Sequence, residues 1–269
     1  MAEALSTGRY AGSTSSFIGK SAPAGDLSVG STVWIKINGV PKEFIIVHQG
    51  LPDKDFYQPS CEGTWLLMKE IYTTMQFLET AYDDNGDAYA DEWSYYYGGE
   101  AYPDSGTLMT KYLNYTFYNL IEDSVKNKIV WAQIPCSSYY ESVESLDKYD
   151  YNQHRVFLLS SSEIGCNEYI YSSISPVVVG RLLQYFIEDP TLMSSDIISE
   201  ASNLRIAYLN GEAHSWWIRS QVYNSYNANC ACYVKTNGAF SGNATNTTSG
   251  VRPAFIVPFD TVLSTVKNA

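Results

Sequence analysis

The sequence predicts an α+β fold built from antiparallel β-hairpins and two or more helices. Two runs with alternating β-branched residues flank Asn38-Gly39, a residue pair that typically forms a tight hairpin turn. Residues 107–130 carry apolar side chains at helical spacing. Three further strand-like runs follow residue 215. Helices set among antiparallel hairpins indicate the α+β class rather than a parallel sheet.

The first half of the chain is predicted to form strands and then helices. Strands are expected at residues 32–37, 43–48 and 64–70. The region 107–130 is expected to contain one helix and, from residue 123, a second short one. A strand at 130–134 is expected to stop at Pro135, because proline has no N–H to donate to a sheet.

The second half is predicted to alternate short helices with strands. Residues 137–153 are polar and acidic and indicate a loop. Short helices are expected at 177–187 and 194–201. Strands are expected at 155–159, 205–209, 215–220, 230–235 and 251–257.

Length and composition suit one large domain preceded by an arm. Residues 1–28 are rich in Ser, Gly, Ala and Thr and indicate a flexible arm or attachment segment, so residues 29–269 are expected to form the folded domain. The formal net charge is −12, and no cluster of Lys and Arg occurs. This charge does not suit nucleic-acid binding. We expect neither a signal peptide nor membrane insertion, since no apolar run approaches ~20 residues.

The stretch 214–256 has the most unusual composition. Its central part consists almost entirely of Tyr, Asn, Ser, Thr, Ala and Gly, and Lys235 is the only charged residue there. Antibody paratopes use the same residues, because Tyr supplies contact area at low entropy cost and Ser, Gly and Asn supply adaptable hydrogen bonds. Apolar, arginine-bearing segments at 216–219 and 251–256 flank this part. The pattern predicts a polar surface on a rigid scaffold; the alternative is an ordinary set of surface loops.

The two flanking motifs resemble a known family. Trp-Trp-Ile-Arg-Ser at 216–220 and Gly-Val-Arg-Pro-Ala-Phe at 250–255 resemble the C-terminal signature of a C-type-lectin-like family of gut bacteria and their phages. The resemblance extends to residues 34–50, 61–68, 157–160 and 205–211. Some members are variable proteins of diversity-generating retroelements, in which mutation of adenines in Asn codons diversifies the ligand-binding face. Gln221 stands where this family often has proline.

The resemblance implies a C-type-lectin-like fold and a diversified ligand-binding protein. The expected function is a phage tail-tip binder that recognises a host surface protein or glycan, with residues 1–28 contacting tail proteins. The alternative is a bacterial surface or secreted lectin-like adhesin. The expected location is the virion tail or the bacterial surface, and homo-oligomerisation is left open.

The resemblance also implies a set of ligand-binding residues on one exposed face. Each of them except Lys235 is Asn or lies within one or two adenine changes of an Asn codon. The set is Tyr223, Asn224, Ser225, Tyr226, Asn227, Asn229, Tyr233, Lys235, Phe240, Ser241 and Asn243.

No catalytic motif accompanies these features, so the sequence predicts a protein that is not an enzyme. The three histidines, His48, His154 and His214, stand in no nucleophile or zinc motif. Formylglycine-generating enzymes share the lectin-like fold and use two cysteines separated by four residues. Cys230 and Cys232 are separated by one, which makes that alternative the weaker one.

The remaining candidate sites are predicted to be structural. Five irregularly spaced cysteines indicate free buried thiols, and alternation along 230–235 directs Cys230, Cys232 and Val234 inward and Ala231, Tyr233 and Lys235 outward. No cofactor is expected; the acidic stretch 83–94 fails the register of an EF-hand, which leaves only a looser structural calcium site open. Arg219 and Arg252 are expected to make an ion pair or carbonyl contacts rather than to touch a ligand.

Overall fold

A computed structural model describes residues 20–78, 107–136, 150–165, 175–176, 180–187, 203–223 and 230–267. The predicted helix at 194–201 and the acidic stretch 83–94 lie outside these residues, as do residues 1–19 of the predicted arm. Within the described residues the chain forms seventeen strands arranged in four sheets.

The strands are numbered in chain order. They are β1 (Ser21–Pro23), β2 (Thr32–Ile37), β3 (Val40–Gly50), β4 (Gly63–Met68), β5 (Thr73–Gln76), β6 (Ala132–Cys136), β7 (Asp150–His154), β8 (Val156–Phe157), β9 (Ser175–Pro176), β10 (Ala207–Leu209), β11 (Glu212–His214), β12 (Trp216–Tyr223), β13 (Cys230–Val234), β14 (Phe240–Ala244), β15 (Thr248–Val251), β16 (Ala254–Val257) and β17 (Val262–Ser264).

The helices are short. They are α1 (Leu108–Lys111), which continues through a π-helical segment (Tyr112–Phe117) into α2 (Tyr118–Leu120), then α3 (Asp123–Lys126) and α4 (Gln184–Ile187). Single 3₁₀ turns lie at Ala24–Asp26, Pro59–Cys61, Ser162–Ile164 and Asn203–Arg205.

A seven-stranded sheet with the order β1-β17-β2-β3-β4-β16-β8 forms one side of the core. The predicted β2–β3 hairpin is confirmed: Asn38 and Gly39 both have positive φ, 50° and 74°, which the tight turn between right-twisted strands requires. Strand β4 is buried along its whole length between β3 and β16. Trp65 of this strand contacts Phe157 and Tyr57 edge-to-face at 5.5 and 5.7 Å between ring centroids.

A six-stranded sheet with the order β14-β13-β12-β15-β5 lies against the same core, and β9 pairs with the far end of β12. Strand β15 leads directly into β16 of the first sheet, so the two sheets are linked through Arg252-Pro253. Two-stranded sheets β6–β7 and β10–β11 complete the described structure.

The α+β prediction, and with it the C-type-lectin-like fold with two or more helices, is wrong. The described residues are mostly β-sheet, and the segment over 108–120 is the only helix among them longer than a single turn. Within the helical region predicted at 107–130, the first helix forms over 108–120. The helix ends because Ile121 is extended (φ −71°, ψ 137°) and pairs with Ile37 of β2. The short helix predicted from residue 123 is confirmed as α3.

Four local predictions also change. Residues 21–26 were assigned to the arm, yet β1 pairs with β17, and Ala22 and Ala24 are buried. Pro135 does not end its strand, because within the described part of the chain β6 pairs with β7 alone, and such an edge strand tolerates a residue without an N–H. The end of the predicted loop at 137–153 is strand β7. Of the helix predicted at 177–187, the structure describes residues 180–187, and only α4 among them is helical.

Candidate functional site

Strand β12 is the element that carries the predicted binding stretch, and it is held on both faces. Trp216, Trp217 and Ile218 have no exposed surface. The Trp217 indole N–H donates to the carbonyl of Met75 at 3.0 Å, and that of Trp216 donates to the carbonyl of Arg205 at 2.9 Å. Buried indoles with satisfied N–H groups fix both the position and the rotation of the strand.

A buried ion pair anchors the middle of β12. The Arg219 guanidinium donates to both carboxylate oxygens of Glu163, and the two side chains are 2% and 0% exposed. Glu163 also accepts from the Tyr57 hydroxyl and the Ser160 N–H, each at 2.9 Å, and Arg219 donates to the carbonyl of Leu158 at 2.8 Å. Buried charges are tolerated when they are paired and hydrogen-bonded in this way. The structural role predicted for Arg219 is therefore confirmed.

Arg252 holds the other flanking motif. Its Nε donates to the carbonyl of Met68 at 2.8 Å, and its guanidinium lies 4.9 Å from the ring centroid of Trp216. Burial lowers the pKa of Arg252 from its ordinary value to about 10. The predicted carbonyl contact is confirmed, and the guanidinium, 1% exposed, lies inside the protein.

The hairpin β13–β14 presents part of the predicted binding set. Tyr233 pairs with Ser241, and Ala231 pairs with Asn243, so these four residues lie on one face of the hairpin. Asn243 is exposed, whereas Ser241 and Tyr233 are half-buried. Lys235 is exposed at the turn, which is closed by the Lys235 N–H donating to Ala239 at 2.7 Å.

The opposite face of this hairpin is buried. Val234 and Cys232 have no exposed surface, as alternation predicted. Phe240 pairs with Val234 and is 9% exposed, so the expectation that Phe240 lies on the exposed face is wrong. Ala231 was expected to point outward and is 4% exposed, because β12 and β14 flank its small side chain on both sides.

The rest of the predicted set belongs to the connection between β12 and β13. The backbone of Tyr223 ends β12 and pairs with Ser175 of β9. Asn224, Ser225, Tyr226, Asn227 and Asn229 lie outside the described residues. The structure therefore brings together Tyr233, Lys235, Ser241 and Asn243, and it anchors the two ends of the connection in the same sheet.

Burial in the core favours the neutral forms of His48 and Cys61. Burial lowers the pKa of His48 from 6.5 to about 4 and raises that of Cys61 from 9.0 to about 12. Cys61 and Cys232 are buried, as predicted for these two. Among the described residues, no three His, Cys, Asp or Glu side chains are grouped to hold a metal ion.

Two features of the structure could not be predicted from the sequence. Glu163 lies in the turn after β8, and only its charge within a stretch of serines and apolar residues distinguishes it. The second feature is a cleft beside Trp34. The alternation of residues in β2 predicts that the Trp34 side chain faces away from the core, but it does not predict that other elements surround this side chain. Both depend on contacts between residues far apart in the chain.

The fold and the site define a predominantly β protein in which a polar hairpin surface rests on buried aromatic and ionic anchors. Residues 62–259 match the family model described as a domain of unknown function, DUF6273, and the chain belongs to that family. No curated protein and no solved structure matches it. Of the helices in the described ranges, none combines the length and apolar character needed to cross a membrane.

Proposed function

We propose that this protein is a diversified ligand-binding protein, a phage tail-tip binder that recognises a host surface ligand. The binding surface comprises the β13–β14 hairpin face and the connection that precedes it. The single observation that carries the proposal is the division of the hairpin into two faces. Tyr233, Ser241 and Asn243 share one face, while Cys232, Val234 and Phe240 on the other are buried.

This division suits a surface whose side chains change while the fold is kept. Substitution at an exposed strand position has small effects on stability, whereas the buried anchors must be kept. Arg219, Arg252 and the indole N–H groups of the two tryptophans of β12 supply those anchors through bonds to Glu163 and to backbone carbonyls. Of the hairpin face, the ring of Tyr233 also contacts the buried Trp217 ring, at 6.0 Å between centroids, while Asn243 is exposed. The Tyr, Ser and Asn residues also match the composition of known paratopes.

Binding is tested with intact cells of a bacterial panel and with an array of their surface glycans. Tyr233→Ala is expected to weaken binding to whichever probe is recognised by about 1–4 kcal/mol, as for an aromatic residue central to an interface. Tyr208→Ala is the matched control, because Tyr208 is 45% exposed but belongs to the separate β10–β11 sheet. Equal binding by the Tyr233→Ala and Tyr208→Ala variants would argue against this surface.

Diversification is tested separately by measuring how well the fold tolerates substitutions on each face of the hairpin. Replacing Asn243 with Tyr, Ser, Asp or His is expected to leave the thermal unfolding midpoint almost unchanged, since the side chain is exposed. The same replacements at buried Phe240 are expected to destabilise the protein by about 3–5 kcal/mol for the smallest side chains. Similar losses at both positions would contradict the proposed division.

The gene provides an independent test. A second copy of the segment coding for residues 214–256, differing only at adenines and lying beside a reverse transcriptase gene, is the expected arrangement. Absence of such a copy from the complete genome would refute diversification but leave binding by a fixed surface intact. Detection of the protein in purified phage particles distinguishes a tail protein from a bacterial adhesin.

A further inference from the structure

A second surface feature lies in the seven-stranded sheet, away from the hairpin β13–β14 in the topology. It is a cleft of about 210 Å³ between β1–β17, the outer face of β2–β3 and the start of α3. Most of its lining residues lie outside the span matched by the family model. The cleft is lined by Ser21, Trp34, Lys36, Pro41, Glu122, Ser124, Val125, Val262 and Ser264.

The cleft exists because two neighbouring strands separate. Strand β17 pairs with β2 only between Ser264 and Trp34. Beyond this point the backbone of Lys36 bonds instead to Glu122: the Lys36 N–H donates to Glu122 Oε1, and the Glu122 N–H donates to the Lys36 carbonyl, both at 2.9 Å. The edge of β2 is thereby satisfied without β17, and an open wedge is left over the outer face of the sheet.

The wall of this wedge combines an aromatic face with polar groups. Trp34 is half-buried, and its indole ring is contacted by the exposed Lys267 ammonium 5.3 Å from the ring centroid. Such exposed cation–π contacts are weak, so a ligand displaces the lysine at little cost. Lys36 and Glu122 bring opposite charges to the same wedge, and Ser21 and Ser124 line it as well.

We propose that this cleft binds one pyranose unit of an uncharged carbohydrate. Its volume exceeds that of a cavity that holds benzene, about 150 Å³, and is below the range of about 300–1,000 Å³ typical of drug-sized ligands. The size therefore suits a single substituted six-membered ring. A pyranose presents an apolar C–H face to the indole and hydroxyls to the charged and hydroxyl side chains. The opposite charges of Lys36 and Glu122 favour no net charge on the ligand.

The proposal is independent of the hairpin surface and is tested on the full chain. Saturation-transfer difference NMR is recorded with methyl glycosides of glucose, galactose, mannose and N-acetylglucosamine. At least one is expected to bind with a Kd near 1 mM, the affinity of a small ligand in a shallow site. Trp34→Ala is expected to weaken this binding at least tenfold, while Trp34→Phe keeps part of it.

Trp131→Ala is the matched control, since Trp131 is also half-buried and contacts a cation, Arg155, at 4.3 Å. It is expected to bind as the wild type does. Glu122→Gln is a second variant, in which the amide oxygen still accepts from Lys36 while the charge is lost; a several-fold weakening is expected. The proposal is overturned if no glycoside binds the wild type at a glycoside concentration of about ten times the expected Kd. It is also overturned if folded Trp34→Ala and Glu122→Gln variants bind the glycosides as the wild type does.

Discussion

Removing Arg219 from its buried pair with Glu163 is expected to destabilise the protein more than any change at an exposed charge. In Arg219→Met the apolar side chain keeps most of the volume, but Glu163 loses both guanidinium bonds and stays buried, with Tyr57 and Ser160 as its remaining donors among the described residues. An uncompensated buried charge of this kind costs about 3–5 kcal/mol. That is a large part of a total stability of about 5–15 kcal/mol.

The measurement is urea denaturation of the wild type, Arg219→Met, Glu163→Gln and the double variant. The double variant is expected to be more stable than the sum of the single losses predicts, by about 0.5–3 kcal/mol, because each single change leaves the other group unpaired. Lys69→Met is the control: the Lys69–Glu43 pair has the same kind of contact at 2.9 Å, but its side chains are 47% and 22% exposed. It is expected to cost at most about 1 kcal/mol.

Two outcomes would refute this reasoning. A loss for Arg219→Met no larger than that for Lys69→Met would show that the pair does not anchor β12. Strictly additive losses in the double variant would show that the two side chains act separately. Added salt is expected to change the Lys69–Glu43 contribution more than the buried one, because screening acts mainly on exposed charges.

Two further predictions concern His48 and Asn114. Burial lowers the pKa of His48 from 6.5 to about 4, so between these pH values the unfolded state binds a proton that the folded state does not. The free energy of unfolding is therefore highest above pH 6.5 and falls by about 3 kcal/mol in total as the pH decreases towards 4. His48→Asn, which keeps an acceptor for the Gln184 N–H that donates to His48 Nδ1 at 3.3 Å, is expected to remove that part of the pH dependence in urea titrations; an unchanged pH profile would contradict the prediction. Asn114→Ala is expected to cost about 3 kcal/mol or more, because this buried amide donates to Thr110 and Val156 and accepts two backbone N–H groups. The exposed Asn119 on the same helical segment is the control, since Asn119→Ala is expected to cost less than about 0.5 kcal/mol, and equal losses at both positions would refute the role of Asn114.

Several elements could be predicted from the sequence because their cause is local. The β2–β3 hairpin follows from Asn38-Gly39 between alternating runs, since only such residues adopt positive φ cheaply. The burial of Cys232 and Val234 follows from the two-residue period of a strand. The buried roles of Arg219 and Arg252 follow from their positions inside apolar segments, although the identity of the Arg219 partner does not.

Other features depend on partners that are distant in the chain. The helix stops at Leu120 because Ile121 pairs with Ile37, and no spacing within 107–130 encodes that contact. Phe240 pairs with the buried Val234 and therefore lies on the buried face of the hairpin. The polar residues around Phe240 in the sequence had predicted an exposed position.

The sequence by itself determined the turns, the alternation of single strands and the unusual composition of 214–256, because these depend on neighbouring residues. Only the tertiary structure decided the predominantly β fold, the Glu163–Arg219 pair and the cleft beside Trp34. These features depend on contacts between residues that are dozens to more than two hundred positions apart in the chain. The local sequence around each residue does not specify which distant residue it contacts.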